Sequence, residues 1–428
     1  QELFVNLTCL SEGNGSRGKA LAESTQAELK TSWYLLGPAF VAAIAYVDPG
    51  NVAANVSSGA QFGYLQLWVV VVANVLAGLV QYLSAKLGLV TGQSLPQAIS
   101  KQMSHPFRLG FWLQAELVAM ATDVAEIVGG AIAFHILFRV SLLLGGVITG
   151  TVSLLLLMVK DRRGQLLFER VITGLLFVIV VGFTSSFFVA TPSPEDMVNG
   201  LLPRFQGTES VLLAAAIIGA TVMPHAVYLH SGLALDRHGH PHAGRSRRRL
   251  LRVTRLDVIL AMTIAGIVNT AMLLVAAINL QHHQVTAYIE GTYTAIQDTL
   301  GATIAMLFAI GLLASSLASA SVGAYAGALI MQGLLQRSIP MLIRRLITLC
   351  PAIAILALGF DPTRALVLSQ IVLSFGIPFA VLPLVKLTNN RGLMGNDTNH
   401  PATTVLGWAV AILVSLLNVV LIYLTVTS

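Results

Sequence analysis

Apolar runs of about 20 residues, the length that carries a helix across the hydrocarbon layer of a bilayer, recur along most of this 428-residue chain. Inside that layer no water is available, so every backbone N–H and C=O has to be satisfied within the structure. The runs therefore read as transmembrane helices. Eleven are expected, near residues 32–58, 65–92, 109–138, 141–160, 166–190, 210–234, 256–280, 300–334, 340–359, 363–387 and 402–427. Composition agrees: 55% of residues are hydrophobic and 10% charged, against about 25% charged in a soluble domain. The expected class is an all-α polytopic membrane protein. The first ~30 residues are polar and contain no apolar core, so they predict a cytoplasmic segment and no cleavable leader. On that reading the sequons at Asn6 and Asn14 are chance matches.

Lys and Arg set the orientation, because cytoplasmic loops carry the excess of them. With the N-terminus inside, the inner segments hold Lys160, Arg162, Arg163, Arg170 and the cluster Arg245–Arg255, among others. The outer segments hold only Arg139, Arg204 and Arg364. The net charge of +6 is thus a matter of topology rather than of nucleic-acid binding, and an odd number of spans places Ser428 outside. The two cysteines, Cys9 and Cys350, are too few for a disulfide framework or a cysteine zinc site. Cys350 is expected to be inert packing.

Two of the runs are interrupted near their middles, by Asp48-Pro49-Gly50-Asn51 and by Val222-Met223-Pro224-His225. Proline removes a backbone donor and clashes with the preceding turn, so the helix breaks there. Broken helix at membrane depth is tolerated only where it is buried in protein or lines a cavity. The first five spans and the next five share one plan, a broken helix followed by four more. Five being odd, the second set runs upside down relative to the first, the pattern of an inverted repeat with a binding site between its broken helices. The expected divisions are a polar segment 1–30, a first repeat 31–190, a second repeat 191–390, and a last helix with the C-terminus, 391–428.

Each break exposes metal-capable groups. Carbonyls lose their helical partners at Ala45 and at Gly219, Ala220 or Thr221; Asp48 adds an anionic oxygen, Asn51 an amide oxygen and Met223 a thioether. Oxygens alone suit sodium, magnesium or calcium. Mixed oxygen and thioether ligation favours Mn²⁺, Fe²⁺ or Co²⁺ and admits Cd²⁺. A carboxylate at mid-membrane is costly and marks function.

These two motifs resemble those of the Nramp family of divalent metal transporters. Gly323-Ala324-Tyr325-Ala326-Gly327 with Met331-Gln332-Gly333 is similar to that family's signature in the eighth span, although Ala318-Ser319-Ala320-Ser321 upstream departs from the usual Gln-Ser-Ser type of run. The resemblance runs from about Trp33 to the end. It implies a LeuT-type fold and proton-coupled import of manganese or iron through the cell membrane. It also implies metal contacts from Asp48, Asn51, Met223 and the Ala45 and Ala220 carbonyls, with Gln370 joining when the site is occluded. No resident cofactor is expected; the metal is cargo. A monomer or weak associate is expected, with no nucleic-acid partner.

The third span carries Glu116, Asp123 and Glu126, at spacings of 7 and 3 that share one helical face. The ninth carries Arg344 and Arg345. Such a row is either a structural ion-pair network or a proton relay. The resemblance implies the relay, with Asp48 the first proton acceptor and Asp123 and Glu126 the exit path. His225 would then tune protons near the site and His230 would line an inner vestibule. The loop Asp236–His242 reads as a flexible cytoplasmic segment, and the acidic outer positions Glu195, Asp196 and Glu209 as solvated loops. Three other readings compete: a sodium-coupled organic-solute symporter of the same fold, which would not need Met223; an intramembrane enzyme, for which no His-Glu-x-x-His pattern exists; and a channel, which two broken helices suit less well than alternating access.

Overall fold

The computed structural model describes residues 37–188, 192–240, 245–280, 289–336 and 341–427, and the regular elements among them are all helices. The segment 1–30, its two sequons and His242 lie outside the described residues.

The first expected run is broken where its proline predicts. Helix α1 (Pro38–Ala43) passes into a 3-10 turn, Ile44–Val47. Asp48 is then extended, at φ −72° and ψ 170°, and α2 (Pro49–Phe62) begins with Pro49 in its first turn. Proline forces the residue before it out of helical conformation and is itself preorganised for a helix start. Asp48 completes the start as N-cap, its carboxylate accepting from the Asn51 backbone N–H. The same logic divides the sixth run. There α9 (Gly207–Thr221) ends, Met223 is extended at φ −60° and ψ 121°, and α10 (Pro224–His238) begins on Pro224.

Between and beyond the breaks lie α3 (Leu67–Thr91), short α4 (Leu95–Ser100), α5 (His105–Phe138), α6 (Leu142–Arg163) and α7 (Gln165–Thr184). After the second break come α11 (Arg245–Leu280), α12 (Ile289–Leu300), α13 (Ala302–Leu335), α14 (Met341–Ala357), α15 (Pro362–Thr388) and α17 (Pro401–Thr427). Short α8 (Pro194–Gly200) and α16 (Arg391–Met394) complete the described set. A helix or a broken helix stands at each of the eleven expected places.

Eleven spans, two of them broken, were expected; the structure carries fewer helices of full membrane-crossing length. Among the described residues, eight helices are long and apolar enough to cross a membrane, the α9–α10 stretch counting as one. Pro38–Val47 and Leu142–Met158 are shorter apolar helices, and α14 has 17 residues with Arg344, Arg345 and Pro351 inside it. Two of these three short helices have local causes: a proline break in the first run, and embedded charge with an internal proline in the ninth. One further correction concerns charge at a helix end: Asp236, expected in a loop, lies inside α10 with the Tyr325 hydroxyl donating to its carboxylate. The arginine cluster from Arg245 forms the start of α11. Cys350 is exposed on α14 rather than packed in the interior.

Helix α13 lies at the centre, packed against α5, α7 and α10, while α2 packs on α11 and α9 on α15. The two breaks are thereby flanked by α5, α11, α13 and α15. Glycine allows one approach that any side chain would prevent: a Cβ at Gly129 of α5 would overlap the Pro49 ring, so the first break seats directly on the α5 backbone.

Candidate metal site and the charge row beside it

The side chain of Asn51 joins the two breaks. Its Nδ2 donates to Asp48 Oδ1 at 2.8 Å, to the Ala220 carbonyl at 2.9 Å and to the Ala45 carbonyl at 3.4 Å. The Asn51 backbone N–H donates to the same Asp48 oxygen at 2.7 Å. Asp48 and Asn51 are fully buried, and Asp48 Oδ2 has no hydrogen-bond partner among the described residues. One carboxylate oxygen and two carbonyls from two separate breaks thus converge on a single electropositive group, with a second carboxylate oxygen free to bind. An unpartnered carboxylate oxygen in the interior is costly, so Asp48 is a group whose burial calls for a further partner.

Met223 is fully buried in the second break, in the extended residue that leads into α10. Gln370 of α15 is also fully buried, with its Oε1 unpartnered and its Nε2 donating to Ser369 Oγ at 3.1 Å. A Cβ at Gly50 would overlap the Gln370 side chain, and one at Gly219 would overlap its backbone carbonyl. Helix α15 therefore touches both breaks at the one residue expected to complete the ligand set. Among the described residues no three His, Cys, Asp or Glu side chains group together as a metal cluster. The donors gathered here are instead one carboxylate, amides, carbonyls and a thioether at the breaks.

Several residues that support this arrangement were not anticipated. Asn269 of α11 donates to the Tyr46 carbonyl at 2.8 Å and accepts from Asn55 Nδ2 at 3.1 Å. Ser315 of α13 donates to the Val47 carbonyl at 2.6 Å, and Thr221 Oγ1 to Asn51 Oδ1 at 3.4 Å. Asn269 and Ser315 hold carbonyls that the first break releases and so fix its shape, while Thr221 meets the Asn51 side chain. Single polar residues inside apolar runs were the available signal, but which carbonyl each one meets is a tertiary fact.

Two of the three α5 carboxylates meet the arginines of α14. Arg345 bonds Asp123 and also donates to Ser153 Oγ at 3.0 Å; Arg344 pairs with Glu116 at 2.9 Å. Glu126 is 1% exposed, with Oε2 unpartnered among the described residues. His225 Nδ1 lies 3.2 Å from Thr122 Oγ1 of α5, which ties the second break to the same helix. His230 departs from expectation. Rather than lining a vestibule it is fully enclosed, with Nδ1 2.6 Å from Gln81 Oε1 and the Gln81 amide donating to the Tyr46 hydroxyl.

A cavity of about 620 Å³ opens beside the site, with Ser57 and Gln61 of α2, Glu209 of α9, and Arg364 and Ile371 of α15 on its walls. Glu209, expected in an ordinary loop, lies in the first turn of α9 and borders this cavity. At the opposite end of the first broken helix Asp257 of α11 accepts from the backbone N–H groups of Gly37, at 3.2 and 3.3 Å, and of Ala39, at 3.0 Å. Arg237 and Glu169 pair nearby at 3.5 Å.

Apolar helices around two paired breaks, with buried charge gathered at those breaks, define a polytopic membrane protein of the transporter class. Residues 39–424 match the Nramp family, described as natural resistance-associated macrophage protein-like. A divalent metal cation transporter of Mycobacterium tuberculosis is 75% identical over 414 residues, 97% of each chain. The manganese transporter of Eremococcus coleocola, known as a crystal structure, is 30% identical with a TM-score of 0.82, over 92% of this chain and 86% of that one. Mhp1, a nucleobase-cation-symport-1 family transporter, shares the fold alone, at 14% identity and a TM-score of 0.56, over 92% of this chain and 93% of that one. This chain belongs to the Nramp family.

Proposed function

We propose that this protein imports divalent transition metal ions, Mn²⁺ and Fe²⁺ with Co²⁺ and Cd²⁺ also accepted, by alternating access around the two breaks, with protons as the coupling ion. The observation that carries the reading is the Asn51 amide held among Asp48 Oδ1, Ala45 O and Ala220 O. A dication would take the place of the amide hydrogens there. The amide would turn to present its oxygen, and Asp48 Oδ2 and the Met223 sulfur would join. Gln370, already against Gly50, would close the set. The thioether favours a borderline transition metal over calcium or magnesium, and nothing in the arrangement calls for an organic solute.

Protons would pass from Asp48 along Asp123 and Glu126, with Glu116, Arg344 and Arg345 keeping the row charged and His225 beside its start. His230 would act as part of the enclosed Gln81 chain. The helices would form eleven crossings of the cell's inner membrane, the N-terminus cytoplasmic and the C-terminus outside. Residues 31–190 and 191–390 would be the two inverted repeats, 391–428 an added helix and 1–30 a cytoplasmic segment. The protein would work as a monomer or weak associate.

The deciding measurement is isotopic Mn²⁺ uptake into proteoliposomes with and without an inward proton gradient. Uptake is expected to rise with the gradient, and Asp48→Ala is expected to abolish both uptake and calorimetric metal binding. Undiminished binding in Asp48→Ala would remove the site from the breaks.

A further inference from the structure

The segment Gly323-Ala324-Tyr325-Ala326-Gly327 of α13 matches a family signature, yet it supplies no group to the route above. Its two glycines are one helical turn apart and share a face. A Cβ at Gly323 would stand 2.7 Å from Glu126 Oε1 and 3.1 Å from Oε2. A Cβ at Gly327 would overlap the Arg344 guanidinium itself. Two charged side chains, one from α5 and one from α14, thus lie flat against a strip of α13 that carries no side chain. Both are buried, at 1% and 5% exposure, and Glu126 Oε2 and Arg344 Nε have no hydrogen-bond partner among the described residues. The close contact continues to the first break. One turn beyond Glu126, a Cβ at Gly129 would meet both Pro49 and Ser316 of α13. Alanine is the better helix former, so helix propensity does not account for glycine at these positions.

We propose that Gly323 and Gly327 are positioning residues of the charge row. Their bare face sets how close Glu126 lies to Asp123, and Arg344 to Glu116, and through those separations how many protons accompany each metal ion. The inference rests on the reading of the row as the proton route. Proton transfer needs heavy atoms within roughly 2.6–3.2 Å, or one bridging water. A methyl group at Gly323 would have to displace the Glu126 carboxylate, moving it out of that reach of Asp123; one at Gly327 would push the Arg344 guanidinium, which keeps its protons, away from Glu116, so that the row loses the charge that holds its carboxylates ionised.

The test measures protons moved per metal ion in proteoliposomes that hold a pH dye and receive isotopic Mn²⁺. This ratio does not depend on how much of the protein is folded. Gly327→Ala is expected to lower it at least threefold while metal uptake continues. Gly333→Ala is the control: its Cβ would be 2.5 Å from Pro96 Cβ and 3.0 Å from the Gln97 nitrogen, a comparable crowding with no charged neighbour. It is expected to leave the ratio unchanged. Should Gly327→Ala yield too little protein, Gly323→Ala serves, because only the end of the Glu126 side chain must yield there, and a reduced ratio is again expected. If both glycine variants keep the full ratio while Asp123→Asn lowers it, the positioning role is overturned and the route stands. If Asp123→Asn also keeps it, the route falls and takes this inference with it. An equal drop in Gly333→Ala would overturn the role as well, because general packing would then explain the effect.

Discussion

Asp48 and Met223 occupy equivalent places: each is the residue before a proline, extended in backbone and fully buried. The restriction that proline puts on its predecessor turns a local sequence rule into a pair of side chains released from helical geometry. That much was legible in the sequence, as was the kind of donor each residue brings. What each donor faces was not. In this structure Asn51 satisfies three oxygens with its amide hydrogens, so Asn51→Asp would remove a donor and place a second carboxylate beside Asp48. Destabilisation of about 1–3 kcal/mol is expected, read as a lower unfolding temperature of the purified protein. Met223→Ala tests the sulfur. Discrimination against Ca²⁺ in competition with Mn²⁺ uptake should fall about tenfold, or ~1.4 kcal/mol. Selectivity equal to that of the unaltered protein would mean that the thioether is no ligand.

At the level of elements, the contacts around the breaks rest on close backbone approach and on caps lent by other helices. Helix α1 begins at Gly37, which offers no side-chain cap of its own. Its first N–H groups are met by Asp257, far along the chain on α11. A carboxylate there also complements the positive end of the helix dipole. Asp257→Asn should cost about 1 kcal/mol, with amide hydrogen exchange rising over residues 37–43 more than over α11. Equal protection in the variant would mean that the cap contributes nothing. No pattern within α1 announces this partner, because a cap supplied from a distant helix leaves no mark on local sequence. The same holds for Gly50 and Gly219. Each read as part of a break, and only the packed structure reveals Gln370 against both. Gly50→Ala should therefore reduce metal uptake severalfold with Asp48 intact, measured as initial rates in proteoliposomes.

At the scale of the whole molecule, a cavity lies toward one end of the first broken helix and a cap from a distant helix holds its other end. The cavity of about 620 Å³ runs along α2, α9 and α15, while Asp257 holds the start of α1. A cysteine replacing Gln61, in a Cys9→Ser, Cys350→Ser background that removes both native thiols, should react with a membrane-impermeant thiol reagent applied outside intact cells. Labelling only after permeabilisation would reverse the orientation proposed here. The sequence by itself determined the class of protein, the places of the helices and the positions of both breaks. Those follow from hydrocarbon length and from the missing N–H of proline, which act over a few turns of chain. The tertiary structure alone decided which carbonyls Asn51 bridges, that Gln370 closes on two glycines, that His230 is enclosed, and that Glu126 and Arg344 lie along a bare strip of α13. These contacts join residues far apart in sequence, and their geometry is set by how whole helices pack, a property that no single window of residues encodes.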